Sequence, residues 1–107
     1  MAEGNLSQAV ELLSSAVEIN PENHYVQNNL GLALIRAGDY KMAKEHLEKA
    51  AAQDPSEAYV YNNLGISYEN LNMLEEAKVS YEKALELDPE HEHAEMNLKR
   101  VLSKLQK

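Results

Sequence analysis

A repeat of 34 residues runs through this 107-residue sequence and constrains its fold more than any other feature. Pro21, Pro55 and Pro89 are spaced by this period (55 − 21 and 89 − 55), and Gly31 and Gly65 are separated by the same distance. Four further sets stand in the same phase: Leu30, Leu64 and Leu98; Ala9, Ala43 and Ala77; Ala16, Ala50 and Ala84; Leu13, Leu47 and Tyr81. So many matches are not expected by chance, and we infer that one structural unit is repeated along the chain.

Each unit has the pattern of two helices. A first helix, for example "NHYVQNNLGLALIRAG", has apolar residues three and four apart and ends at a turn signal such as Gly38-Asp39. A second helix is rich in strong helix formers and stops before Asp54-Pro55 or Asp88-Pro89, because proline removes a backbone donor and disfavours a helical residue before it. The predicted helices are 5–19, 23–37, 40–53, 57–71, 74–87 and 90–106. The helix at 5–19 is in phase with the second helices of the repeats, and the helix at 90–106 is in phase with the first helices.

These residues resemble the tetratricopeptide repeat family. Its pattern W-x2-L-G-x2-Y, followed by A-x3-F and P, is approximated by Tyr61, Leu64, Gly65, Tyr68, Ala77, Tyr81 and Pro89, and more loosely by Gln27, Leu30, Gly31, Leu34, Ala43, Leu47 and Pro55. The resemblance implies an all-α, right-handed superhelical solenoid whose concave groove is lined by the first helices. We expect a single domain over 1–107, with a half repeat at 1–22, whole repeats at 23–56 and 57–90, and a capping helix at 91–107.

The small residues of the repeat have a packing explanation. Gly31 and Gly65 on the first helices should let each one approach its second helix closely, and larger side chains there would overpack the contact. The second helices are expected to contribute alanines to the same contact: Ala43, Ala50, Ala77 and Ala84.

Composition and charge limit the possible functions. The sequence has no cysteine, which excludes disulfides, thiolate metal sites and a cysteine nucleophile. The formal net charge of -8 disfavours nucleic-acid binding, since that affinity depends on clustered Lys and Arg. The stretch 1–20 lacks the basic and apolar regions of a signal peptide, and no apolar run approaches the length of a membrane span. We expect a cytoplasmic protein without membrane insertion.

No catalytic, metal or cofactor site is predicted. His91 and His93 stand at alternate positions, which point to different faces of a helix, and no third ligand is evident. His24 and His46 are expected to be isolated and exposed. The serines lack a paired His and Asp arrangement. The sequence therefore does not indicate an enzyme.

One stripe on the first helices is the predicted binding surface, and the resemblance places it in the groove. It contains an asparagine in each first helix: Asn29, Asn63 and Asn97. A primary amide matches the C=O and N–H of one peptide unit. Helices about 8 to 10 Å apart could therefore hold roughly every third residue of an extended chain that advances about 3.3 Å per residue. The remaining stripe residues, expected to form side-chain pockets and local charge, are Tyr25, Leu32, Arg36, Tyr59, Ile66, Asn70 and Arg100.

The predicted function is thus protein interaction through binding of an extended peptide, and the stripe resembles the asparagine ladder of some tetratricopeptide proteins. The alternative is that repeat duplication copied a surface asparagine, or that the amides bond to one another. Other family members clamp a carboxylate with lysines and an arginine. Here Asn28, Leu32, His93 and Asn97 stand at most of the corresponding positions and only Asn63 agrees, so such a clamp is not expected.

The helix at 5–19 supplies a second hypothesis. It is a second helix with no first helix before it, so part of an apolar set is expected to lack cover: Leu6, Val10, Leu13 and Val17. At the other end, Lys99 replaces the packing glycine, and with Arg100 and Lys104 it indicates a cap. The rival function is therefore a self-assembly or scaffold module, a homo-oligomer or part of a longer array, that interacts through the helix at 5–19. The simpler alternative is that this helix turns its apolar face onto the helix at 23–37.

Overall fold

Six α-helices account for most of the chain in the computed structural model, which describes residues 3–107. They are α1 (Glu3–Ile19), α2 (His24–Arg36), α3 (Tyr40–Gln53), α4 (Ala58–Asn70), α5 (Leu74–Leu87) and α6 (Glu92–Leu105). No strand occurs within this described range. The all-α fold and the six helices predicted from the repeat are confirmed, with ends that differ by at most two residues.

Local signals at the turns explain where the helices begin and end. The side chain of Asn23 accepts hydrogen bonds from the backbone N–H groups of Tyr25 and Val26, which caps the start of α2. Gly38 ends the turn after α2 with a φ of 82°, a conformation that glycine adopts without steric cost. Asp54 and Asp88 are extended at the ends of α3 and α5, as expected for residues that precede proline.

Consecutive helices pack against each other, and the first helices also touch directly. The helix α3 lies between α2 and α4, and α5 lies between α4 and α6. In addition, α2 contacts α4, and α4 contacts α6. The second helices α3 and α5 are therefore each enclosed by two first helices, while the first helices form one continuous surface. No described helix combines the length and the apolar character needed to cross a membrane.

The core follows the repeat. The four predicted alanines are fully buried: Ala43, Ala50, Ala77 and Ala84. A Cβ added to Gly31 would lie 2.5 Å from Leu47 Cγ, and one added to Gly65 would lie 2.5 Å from Tyr81 Cε1. These distances confirm that the glycines allow close approach of the paired helices.

A polar contact holds the first repeat together at a position that the second repeat fills differently. Gln27 is buried on α2, donates to the carbonyl of Pro21 at 2.9 Å and lies 2.7 Å from His46 Nδ1 through its Oε1. His46 is half-buried, and burial lowers the pKa of its imidazole. The expectation that His46 is exposed was therefore wrong, because a buried amide on the neighbouring helix pairs with its ring.

Candidate functional site

The candidate site is the surface of α2, α4 and α6 that carries the stripe defined above, and we call it the groove face. Its residues are exposed or half-buried on all three helices. Because these helices contact one another, the stripe is continuous across the repeats.

The paired asparagines of the first helices have two different environments. Asn28 and Asn62, the first of each pair, are buried, whereas Asn29 is exposed and Asn63 is half-buried. Asn63 Nδ2 donates to Asn28 Oδ1 at 3.2 Å, which links the two whole repeats. The first asparagine therefore accepts a hydrogen bond from the following repeat, and the second lies on the groove face.

The same contact recurs at the next boundary. Asn97 Nδ2 donates to Asn62 Oδ1 at 3.0 Å, so α6 is joined to α4 as α4 is joined to α2. Hydrogen bonds between amides within the groove, which the sequence left open as an alternative, are thus present. Each such bond is worth about 0.5 to 1.5 kcal/mol net, and leaving Asn28 or Asn62 buried without it would cost more.

The aromatic and aliphatic stripe residues offer contact surface beside the amides. Tyr25 and Tyr59 are exposed at the start of α2 and α4. Burial and the nearby Glu57 raise the pKa of Tyr59, and its phenolic hydroxyl can donate a hydrogen bond. Leu32 and Ile66 are half-buried one turn beyond the asparagines. This order of aromatic, amide and aliphatic side chains repeats from α2 to α4.

The charged end of the groove face is dominated by an ion-pair network that sequence reasoning missed. Glu69 is buried on α4, and both its oxygens bind Arg100, with Nε to Oε2 and Nη2 to Oε1 each at 2.7 Å. Lys104 Nζ donates to Oε2 at 2.6 Å, and Tyr81 Oη donates to Oε1 at 2.9 Å. Burial alone would raise the pKa of Glu69, but these hydrogen bonds outweigh it and lower the pKa to about 2.

This network changes what the predicted charged residues can do. Arg100 is engaged by Glu69 and also donates to Asn97 Oδ1 at 2.9 Å. Arg36, at the other end of the groove face, is exposed. Asn70 is exposed as well, and its Nδ2 donates to the carbonyl of Ile66 at 2.8 Å. Arg100 and Lys104 therefore bind α6 to α4.

The apolar residues predicted for self-association lie mostly against the core. Val10, Leu13 and Val17 are half-buried and pack on the core cluster formed by α2, α3 and α4. Leu6 is half-buried near the start of α1. The large apolar residues that α1 exposes are different ones, Leu12 and Ile19. The apolar periodicity of α1 alone does not distinguish the half-buried residues from the exposed ones, because exposure also depends on which helices pack against α1.

Three possible metal ligands lie together at the start of α2 and in the turn before α4. His24, Asp54 and Glu57 each place one ligand atom within 4.8 Å of the others. His24 Nε2 is 3.4 Å from Asp54 Oδ2, and both groups are half-buried, so the expectation that His24 is exposed was wrong. His24 Nδ1 is buried without a hydrogen-bond partner among the described residues, whereas a metal-binding imidazole normally donates its second N–H to an acceptor. We assign no metal to this cluster.

Comparison with protein families gives one result over residues 1–91. Two family models described as tetratricopeptide repeat match residues 1–65 and 58–91. Curated protein sequences give no significant match.

Solved structures with the same architecture include domains with bound peptides. The structure described as the first TPR of Spaghetti (RPAP3) bound to HSP90 peptide SRMEEVD has a TM-score of 0.94 and 27% identity, covering 98% of this chain and 83% of that one. The Sgt2 TPR domain from Aspergillus fumigatus has a TM-score of 0.91 and 26% identity, covering 99% and 72%. An O-GlcNAc transferase from Thermobaculum terrenum has a TM-score of 0.86 and 30% identity over 92% of this chain but only 19% of its own.

Proposed function

Since the chain belongs to the tetratricopeptide repeat family, we propose that it is a protein-interaction module whose groove face binds an extended peptide segment of a partner protein. The observation that most supports this proposal is the different placement of the paired asparagines. Asn28 and Asn62 are buried and accept the bonds between repeats, while the second asparagine of each pair lies on the groove face. A peptide-bound structure of a 27% identical domain supports the same assignment.

The amide chemistry leaves hydrogen-bonding capacity for a ligand. A primary amide has two donors and an acceptor oxygen, and Asn63 uses one donor for Asn28. Its oxygen and second N–H suit the N–H and C=O of one peptide unit. Asn29 is exposed and can offer the same pair, whereas Asn97 already accepts from Arg100 through its oxygen. The proposed ladder is therefore strongest at Asn29 and Asn63.

The charge distribution favours recognition of peptide backbone over recognition of a ligand carboxylate. The peptide bound by the RPAP3 domain, SRMEEVD, contains several acidic residues. In this chain Arg100 and Lys104 are already bound to Glu69, so releasing them would leave a buried carboxylate unpaired. We propose that the amides contact main-chain groups, and that Tyr25, Tyr59, Leu32 and Ile66 contact the side chains between them.

The test is a titration of the isotope-labelled chain with heptapeptides of randomised sequence that are acetylated and amidated at their ends. These peptides have no terminal charge, so binding reports backbone and side-chain contacts. We expect shifts in the side-chain amide signals of Asn29 and Asn63, with about micromolar dissociation constants after ordering costs. Uncapped SRMEEVD should bind no more tightly than the capped pool.

The cleanest variant is Asn29→Ala, because Asn63→Ala also removes the bond to Asn28. Loss of two hydrogen bonds at about 0.5 to 1.5 kcal/mol each predicts a Kd higher by roughly 5- to 150-fold. Asn5→Ala on the exposed side of α1 is the matched control and should bind normally. Unchanged binding in the triple variant of Asn29, Asn63 and Asn97 to alanine would refute the ladder.

A further inference from the structure

The two ends of the array differ in how their second helices are covered. The helices α3 and α5 each lie between two first helices, but α1 contacts only α2 among the described helices. Ala43, Leu47 and Ala50 of α3 are consequently fully buried. Their counterparts 34 residues earlier, Ala9, Leu13 and Ala16, remain half-buried. Within residues 3–107, one side of α1 therefore lacks the neighbour that the repeat supplies elsewhere.

The repeat also identifies that side. His46 and Gln53 of α3 face their own first helix and its entry turn, since they contact Gln27 and the carbonyl of Pro21. The equivalent residues of α1 are Leu12 and Ile19, which are 72% and 85% exposed. Apolar side chains thus stand in α1 where the covered helix has polar ones. We call the surface formed by Ala9, Leu12, Leu13, Ala16 and Ile19 the open face of α1.

A notch adjoins the open face where α1 meets α2. It has a volume of about 290 Å³ and is lined by Leu6, Ala9, Leu13, Asn29, Leu32, Ala33 and Arg36. Asn29 is equivalent to Asn63 and Asn97, and both of those donate to an asparagine on the preceding first helix. An occupant of the notch would therefore meet a hydrogen-bond donor from Asn29 as well as apolar side chains.

We propose that the open face and its notch bind an amphipathic helix of a partner protein carrying the Asn-x-Leu-Gly pattern of α2 and α4. The glycine is required because Leu13 is equivalent to Leu47 and Tyr81, and an added Cβ on Gly31 or Gly65 would lie 2.5 Å from those side chains. The asparagine is required as the acceptor for Asn29, as Asn28 and Asn62 are for later repeats. This is helix-in-groove recognition, and the notch shares Asn29, Leu32 and Arg36 with the groove face, whereas Leu12 and Ile19 belong to the open face alone.

The best-matched probe is a synthetic peptide with the sequence of residues 22–37, ENHYVQNNLGLALIRA. It comes from α2, whose Gly31 packs on Leu47, and Leu47 is the equivalent of Leu13. Titrated into the isotope-labelled full chain, it should shift Leu6, Ala9, Leu12 and Leu13 and become helical. A peptide with Gly31→Leu should bind at least about tenfold more weakly.

Chain variants separate this surface from the rest of the molecule. Leu12→Glu and Ile19→Glu should weaken the helical peptide by about tenfold or more, and they leave the fold intact because both side chains are exposed. Val79→Glu, at a position on α5 that is 62% exposed, is the matched control and should bind normally. Leu12→Glu should still bind capped heptapeptides on the groove face, so failure of one proposal can be told from failure of the other.

Three results would overturn the inference. No binding of the α2 peptide at about 1 mM would exclude the proposed occupant. Equal binding of the Gly31→Leu peptide would show that contact is unspecific. Concentration-dependent sedimentation of the chain that is abolished by Leu12→Glu would show that a second copy of this chain covers the open face.

Discussion

Gly65 offers the most direct test of how the paired helices pack. A Cβ at this position would lie 2.5, 2.6 and 2.8 Å from three ring carbons of Tyr81, against an ordinary contact of 3.4 Å or more. The ring cannot swing aside, because Tyr81 is fully buried and its hydroxyl donates to Glu69 at 2.9 Å. The helices α4 and α5 would therefore have to separate by nearly 1 Å (3.4 − 2.5).

The expected cost follows from two opposing effects. Gly65→Ala gains about 1 kcal/mol of helix propensity and loses about 1 to 3 kcal/mol to overpacking, so it should be neutral to moderately destabilising. Gly65→Leu adds three further carbons in the same space and should cost about 3 kcal/mol or more, out of a total stability of about 5 to 15 kcal/mol. A melting temperature lower by roughly 12 to 24 °C is expected for the leucine variant.

Thermal unfolding followed by far-ultraviolet circular dichroism is the assay. Ala52→Leu, at an exposed position of α3, adds the same side chain without a close contact and should change stability by less than about 0.5 kcal/mol. If Gly65→Leu melts with the parent, the side chain has room and the assigned register of α4 on α5 is wrong.

Three further changes test the polar contacts between the helices. Asn62→Ala removes the acceptor of Asn97 Nδ2 and should lower the free energy of unfolding by about 1 to 2 kcal/mol in urea denaturation, whereas Asn70→Ala, which is exposed, should change it little. Tyr81→Phe removes one donor to the buried Glu69 and should cost a similar amount, and a cost near zero would show that water replaces the hydroxyl. Glu69→Gln should destabilise by about 1.5 to 3 kcal/mol and speed hydrogen exchange in α6, because Arg100 and Lys104 lose their carboxylate. The pKa of Glu69 is lowered from 4.5 to about 2 in the folded chain, so its stabilising contribution is present above about pH 4.5 and is lost as the pH falls toward 2. The free energy of unfolding should therefore decrease between about pH 6 and about pH 3 by less in Glu69→Gln than in the parent.

The helices and the core could be predicted because each repeat presents the same apolar periodicity. A period shared by many positions determines which faces of the helices meet, as at Gly31 with Leu47 and Gly65 with Tyr81. The stripe of Asn29, Asn63 and Asn97 could also be recognised, since it follows from spacing along single helices. Peptide binding by that stripe stays a prediction.

The contacts between repeats could not be predicted in the same way. Glu69 occupies the position of Ile35 in the preceding repeat, so the period itself predicts an apolar residue there. Its partners Arg100 and Lys104 are 31 and 35 residues away on α6, and their approach depends on the rotation between repeats. The available signal was that Glu69 replaces an apolar residue in the same repeat in which Tyr81, a hydrogen-bond donor, replaces Leu47. Likewise, the exposure of Leu12 and Ile19 depends on which neighbour α1 has.

The amide contact between repeats has a consequence for how such arrays grow. Each whole repeat carries an acceptor, Asn28 or Asn62, and a donor, Asn29 or Asn63, so a duplicated copy would be compatible with its parent as soon as it is inserted. Tandem duplication within 23–90 therefore preserves this amide contact without compensating mutations. The series is directional, because α6 has Met96 in the acceptor position and Lys99 in the glycine position. Recombination could add modules before α6 with few changes, whereas a module placed after it would meet a thioether and a lysine in place of the amide and the glycine.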